Sequence, residues 1–505
     1  MTDWTHGYNI EQGYTYGVYR EIAPDWMDVC AMLAGYVAPS ENAGGTLRYL
    51  ELGCGQGYGL ALIASAYPQI EFVGVDFGPE HIAHARGLAA AAGLTNIRFV
   101  EADFLDLARV WPADLGRFDY VVLHGIYSWV PADLRPAIVT CLSHALVSGG
   151  LAYLSYNTMP GWAVMQPFQH VAARLHARSA LPGAQVLAQT VSLFQKLKGG
   201  NAALFEALPG LAGRIDGLDQ LSPAYLVQEY LHDNWTPLWF SQAADELRGA
   251  KLDFVASATL PENLLPAMLP AAVRATVTEV ADPLAQADIV DCAINQSFRR
   301  DLFGRGRRRR FPAQPGAAEL EVRALARPIG DSVAIKTSFG EFTIKAQLVA
   351  PVFDALEGGP QRIGTLVQGA DQSNILQALI LLAHAGHLAI LPGMPRDAAP
   401  AQRFNRAAAD AALTGAPYSY LAAPAIGSAI ALRDVDMLLV ALLAENPDEA
   451  SLPDRLLGAL DRLGRKLLRD GEPVAADGAP ALAKDLVNDV FVNRLPLWKK
   501  LGAVA

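Results

Sequence analysis

Residues 48–57 read Arg48-Tyr-Leu-Glu-Leu-Gly-Cys-Gly-Gln-Gly57, an apolar strand with an acid near its end that runs straight into a glycine loop. Gly53, Gly55 and Gly57 let the backbone turn tightly and approach a ligand where a Cβ would obstruct it. A dinucleotide fingerprint places its third glycine three residues after the second; position 58 is Tyr, so that pattern fails. Glu51 would repel a pyrophosphate and suits a cationic ligand instead.

Further strands follow at regular spacing. Glu71-Phe-Val-Gly-Val-Asp76 is short, apolar and ends in an acid, and a helix is expected from Pro79 to Ala92. Ile97 to Asp103 reads as a third strand, Phe118 to Gly125 as a fourth and Leu151 to Asn157 as a fifth, with helical stretches between them such as Pro131 to Leu146. Alternation of β and α at this spacing predicts a parallel, doubly wound α/β sheet that binds ligands at the strands' C-terminal ends.

Glu51 and the three loop glycines resemble motif I of the class I S-adenosylmethionine (SAM) methyltransferases. The resemblance implies a Rossmann-like methyltransferase sheet and SAM as cofactor. Glu51, Gly53, Gly55 and Gly57 would hold the amino-acid end, where an ammonium lies beside a sulfonium. Asp76 would grip the ribose diol and Phe77 cover the adenine. Asp103 and Phe104 resemble the pair that reads the adenine amino group.

At 505 residues the chain exceeds one domain, and 52% hydrophobic against 18% charged residues describes a well-packed protein. Cys30, Cys54, Cys141 and Cys292 are scattered without Cys-x-x-Cys spacing, so no disulfide framework and no metal site is expected. No signal peptide or membrane-spanning run is read, and a cytoplasmic location is expected. A net charge of −11 argues against a nucleic-acid partner. The basic run Arg305 to Arg310 reads as a solvated joining segment.

The expected organisation is a SAM-binding core over residues 1–159 and a helical insertion or cap over 160–235. Residues 236–312 would supply strands six (Leu252 to Ala258) and seven (Ser297 to Phe303). A linker over 313–328 would lead to a mixed, mainly helical C-terminal accessory domain over 329–505, separable from the core. His384 and His387, three apart in sequence, read as core or cap residues on one helix face.

The reacting groups should follow strands four and five, in His124-Gly-Ile-Tyr-Ser-Trp-Val130 and Ser155-Tyr-Asn-Thr-Met-Pro-Gly-Trp162. His124, Tyr127, Trp129 and Asn157 are the candidates for the catalytic side. His124 would be a base or a loop anchor, and Asn157 an orienting carbonyl. Tyr156 and Trp162 would add aromatic walls, which suit an ammonium through cation–π attraction. Tyr14 and Tyr16, in the tyrosine-dense amino-terminal run, are lid candidates on the substrate side.

Leu123-His-Gly-Ile-Tyr-Ser-Trp-Val-Pro131 and Leu154-Ser-Tyr-Asn-Thr-Met-Pro-Gly-Trp162 resemble the AHGVYSWVP and SYNTYPGW signatures of bacterial methyltransferases that carry a methyltransferase regulatory domain. The similarity continues more weakly through Tyr225 to Leu231, Pro237 to Phe240 and Asn295 to Asp301. Two family His-Glu pairs read Gln228-Glu229 and Ser241-Gln242 here. The resemblance extends to rickettsial-type protein-lysine methyltransferases of outer-membrane proteins. It implies N-methylation of lysine on a protein substrate, an outer-membrane protein among the candidates. O-methylation of a small-molecule hydroxyl or carboxylate and a non-catalytic SAM-binding partner protein are the alternatives. A homodimer is left open.

Overall fold

The computed structural model describes residues 16–505 apart from 43, 233, 312–315, 369–371, 394–395, 434 and 470. Tyr14 therefore lies outside the described residues. The centre is a seven-stranded sheet built from β1 (Arg48–Leu52), β2 (Glu71–Asp76), β3 (Ile97–Glu101), β4 (Phe118–Leu123), β5 (Leu146–Asn157), β6 (Leu252–Ser257) and β7 (Phe298–Arg305). The strand order is β3-β2-β1-β4-β5-β7-β6, and β7 runs antiparallel to both of its neighbours. Side chains alternate between two cores, as period two requires. Tyr49 packs on one face of the sheet, and Leu50 and Leu52 on the other. Chain order reverses between β1 and β4, which opens a crevice at their carboxyl ends.

Helices cover both faces: α1 (Pro24–Leu33), α2 (Tyr58–Ala66), α3 (Pro79–Ala91), α4 (Phe104–Arg109) and α5 (Arg135–Ala145). Two strand ends differ from the sequence reading. β3 stops at Glu101 because the Asp103 carboxylate accepts from the Leu105 amide and caps α4. β5 begins five residues early, at Leu146, across an irregularity in its pairing with β4.

After β5 come α6 (Gln166–His176), α7 (Gly183–Gly199), α8 (Ala203–Ala207), α9 (Pro209–Gly217) and α10 (Pro223–Tyr230). They bury a small core of their own, with Phe168, Phe194, Leu211 and Tyr230. The chain then returns through α11 (Phe240–Arg248) to β6.

The C-terminal third packs against the helices of the catalytic sheet. β8 (Glu321–Ala324) lies inside the expected linker and pairs with β12 (Leu388–Leu391). The hairpin of β13 (Tyr420–Ala423) and β14 (Ser428–Ala431) packs on α2. The Tyr58 hydroxyl donates to the Tyr420 carbonyl at 2.9 Å and its ring stacks on Tyr418 at 4.4 Å. The Tyr67 hydroxyl reaches the Gly427 carbonyl at 2.8 Å. One hydrophobic cluster runs from α1 and α2 into this region without a break. The basic run is also tied down: Arg307 donates to the Tyr36 hydroxyl at 3.2 Å and Arg310 pairs with Glu41. His384 ends its helix, Gly386 turns with φ +79°, and His387 faces the Ala326 carbonyl at 3.0 Å, so the two histidines share no helix face.

Among the described residues no helix is long and apolar enough to cross a membrane, and no group of three or more His, Cys, Asp or Glu is placed to hold a metal.

Removing residues 326–505 uncovers Tyr58 and Tyr67, both buried. That truncation should abolish the cooperative thermal transition of the catalytic sheet, read by circular dichroism. A truncated protein that melts cooperatively near the full-length temperature would contradict the shared core.

Candidate active site

The crevice is built around the glycine loop. Gly53, Gly55 and Gly57 adopt φ of +80°, +53° and +72°, which L side chains rarely accept. A Cβ on Gly53 would lie 2.5 Å from Ile126 Cδ1, and one on Gly57 2.4 Å from Ala85 Cβ. The loop is held from β2: Asp76 accepts from the Gly55 amide at 2.9 Å and the Gly78 amide at 2.9 Å, and faces His81 Nδ1 at 3.0 Å. Beside it opens a cleft walled by Asp76, Phe77, Asp103, Phe104, Ile126 and Trp129. A second recess shares Gly53, Gly55 and His124 with the cleft and adds Tyr16, Tyr19, Glu51 and Gly57. Each residue expected to hold the cofactor lines one recess or the other.

Glu51 dominates the electrostatics. It is 7% exposed, and its Oε2 has no hydrogen-bond partner among the described residues. Burial, with the nearby Asp76 charge, pushes its carboxyl up to about 8. A buried acid without a partner is costly unless a ligand brings a donor or a positive charge. An ammonium placed here would supply both.

The expected catalytic side divides. His124 lies at the junction of the two recesses, its ring stacked on Tyr19 at 3.7 Å, with Nδ1 3.0 Å from the Tyr153 hydroxyl and 3.3 Å from Ser155 Oγ. Burial, and then the Arg300 charge, lower it to about 3, so the imidazole is neutral at physiological pH. Trp129 lines the cleft and approaches the His232 ring at 5.1 Å. Asn157, at the end of β5, donates from its side chain to Glu229 at 2.8 Å. Tyr16 packs over the loop against Tyr58, His84 and Tyr418.

Three of the expected residues are elsewhere. Tyr127 is fully buried beneath the cleft, and its hydroxyl donates to Glu246 on α11 at 2.6 Å. Tyr156 points to the opposite face of β5 from Asn157 and donates to Asp301 at 2.7 Å, in a buried set with Arg299 and Asp291. Trp162 belongs to the core of the inserted helices, beside Tyr230 and Trp235. In each case the aromatic packs a seam and does not face the cleft. Sequence reasoning missed Tyr19 as a site residue, together with His81, Ile126 and His232. Tyr19 carried a signal, being part of the tyrosine-dense run, whereas His81 stands two residues into α3, where the strand-end acid opposite it could have pointed to it.

A family model described as a methyltransferase domain matches residues 44–157, and one described as a predicted methyltransferase regulatory domain matches residues 222–305. An uncharacterised protein of Synechocystis is 32% identical over 511 aligned residues, covering 99% of this chain and 99% of the relative. An uncharacterised Rickettsia prowazekii protein is 29% identical over 58% of this chain and 51% of its own length. The solved structure of PKMT2 from Rickettsia typhi in complex with AdoHcy superimposes with a TM-score of 0.70 over 96% of this chain and 98% of that one, at 18% identity. The orphaned Glu51, the glycine cradle and the cleft beyond Asp76 fit the cofactor that these enzymes use. The chain belongs to the family of SAM-dependent methyltransferases that carry a methyltransferase regulatory domain.

Proposed function

We propose that the protein transfers a methyl group from SAM to the side-chain amine of lysine on a protein substrate. The observation that carries this reading is His124. It is the one imidazole at the junction of the two recesses, and at about 3 its proton affinity is far too low to act as a base at neutral pH. A hydroxyl acceptor needs such a base, whereas an amine that has shed its proton brings its own lone pair. The resemblance of the loops after β4 and β5 to rickettsial-type protein-lysine methyltransferases supports the acceptor class. So does the full-length likeness to PKMT2.

Bound SAM supplies an activated methyl; what remains for the protein is alignment and exclusion of water. Glu51 would take the ammonium of the cofactor, while Asp76, already holding the loop, offers its remaining lone-pair capacity to the ribose. Phe77, Phe104 and Ile126 would enclose the adenine and Asp103 meet its edge. Tyr16 and Tyr19 cover the amino-acid end. Trp129 and the Tyr19–His124 stack leave a narrow aromatic approach for the alkyl stem of a lysine. The cofactor would give its methyl to the amine nitrogen and leave as AdoHcy, and the proton shed by the amine would go to solvent.

A second reading, O-methylation of a small-molecule carboxylate, is favoured by Arg300, whose positive charge acts on both His124 and Tyr19.

The assignment of Glu51 predicts proton linkage. Its carboxyl is raised in the empty protein, and a neighbouring ammonium favours the charged form and lowers it again. Below about pH 8 binding should therefore release a proton, and AdoHcy affinity should rise as pH climbs from 6 toward 8. Calorimetry at pH 7 in buffers of different ionisation enthalpy should show the release. In Glu51→Gln it should vanish, and affinity should fall by roughly tenfold or more. Undiminished release in that variant would remove Glu51 from the site.

The role of His124 is tested by rate at saturating cofactor. An unperturbed lysine ionises near ~10.4, so turnover should climb steadily from pH 6.5 to 8.5. His124→Ala should keep that profile with a loss of no more than about tenfold, the size of a positioning effect. An inflection near ~6.5 that disappears in His124→Ala would make the histidine a base.

A further inference from the structure

The inserted helices bring a second buried acid to the acceptor side of the cleft. Glu229, on α10, is 9% exposed and accepts from the Asn157 side chain at 2.8 Å. Tyr225, one turn earlier on the same helix, bonds to it as well, and at 43% exposed reaches solvent. Both donors are neutral; the Arg214 charge also acts on this carboxylate, but among the described residues no basic side chain forms a direct ion pair with it. Its neighbours Leu226, Val227 and Tyr230 belong to the core of the inserted helices. Glu229 itself is directed to the carboxyl end of β5, where a doubly wound sheet meets its substrate.

Burial without a direct ion pair is expensive for a carboxylate, and a purely structural role here would be filled as well by Gln. Aromatic rings connect this acid to the cleft. Trp129, which lines the cleft, lies 5.1 Å from the ring of His232, three residues beyond Glu229. The Tyr19 ring, stacked on His124, is close enough for its charge state to act on Tyr225.

We propose that Glu229, held by Asn157 and Tyr225, anchors the ammonium of the acceptor and selects a cationic substrate over a neutral or anionic one. This rests on the amine reading above and adds to it the residue that recognises the amine. The negative charge fixes the nitrogen in the approach before it loses its proton, and the two neutral donors keep the carboxylate from rotating away. Charge-assisted contacts of this kind are roughly twice as strong as neutral ones.

The test uses binding to the full-length protein, so it does not depend on knowing the natural substrate. The probe is an AdoHcy analogue with nitrogen in place of sulfur, carrying a four-carbon arm that ends in an ammonium, a hydroxyl or a carboxylate. By calorimetry the ammonium arm should bind wild type at least about tenfold more tightly than the hydroxyl arm. Glu229→Gln should erase that preference while leaving AdoHcy affinity and melting temperature unchanged, and Glu229→Asp should restore part of it. Tyr225→Phe should weaken the preference without removing it. A preference that survives Glu229→Gln overturns the anchor while the amine reading stands. A preference for the carboxylate arm in wild type overturns both.

Discussion

The central constraint is a carboxylate that the fold buries without giving it a partner. Glu51 lies one residue before the end of β1, the strand beside which the order reverses, and Asp76 ends the neighbouring β2. Burial, and then the Asp76 charge, hold the Glu51 carboxyl above its ordinary range. The glycine loop lines the same recess as Glu51. Gly53 and Gly57 pack against Ile126 and Ala85 so closely that no side chain fits at either position. Asp76 accepts one hydrogen bond from the loop, at Gly55, and one from Gly78 in its own turn before it meets any ligand. Cofactor binding and loop geometry therefore depend on the same few atoms.

That arrangement extends far along the chain. His84 on α3 stands 2.7 Å from the Gln56 carbonyl in the glycine loop and 2.7 Å from the Tyr418 hydroxyl in the C-terminal region. α2, which begins at the loop, is pinned by Tyr58 and Tyr67 to the hairpin of β13 and β14. The C-terminal third thus buttresses the helix that carries the cofactor loop. Asp25 on α1 pairs with Arg396 at the same seam, with both side chains 3% exposed. The inserted helices serve the other side of the crevice by delivering Glu229 to Asn157.

Much of this could be read from residues alone. Strands one to five were legible because apolar runs, terminal acids and glycines recur at βα spacing, and strands six and seven fell where they were expected. The residues proposed to hold the cofactor were picked out for the same reason, since they stand at strand ends, and all of them line the two recesses. Aromatics were harder. Tyr156 alternates away from Tyr153, Ser155 and Asn157, so the period of two already placed it on the other face. Tyr127 and Trp162 follow turns, where no period applies, and their partners Glu246 and Trp235 lie far along the chain. The joining segment misled for a similar reason. Arg307 and Arg310 look solvated until Tyr36 and Glu41, more than 250 residues earlier, are folded against them. Composition is local, and these contacts are not.

The most direct test follows the methyl group itself. The purified protein, SAM labelled on its methyl carbon and a bacterial lysate should yield label that survives mild alkali and, after complete acid hydrolysis, runs as methylated lysine in mass spectrometry. Label released by mild alkali, or found only in small acids, would contradict methyl transfer to a protein amine.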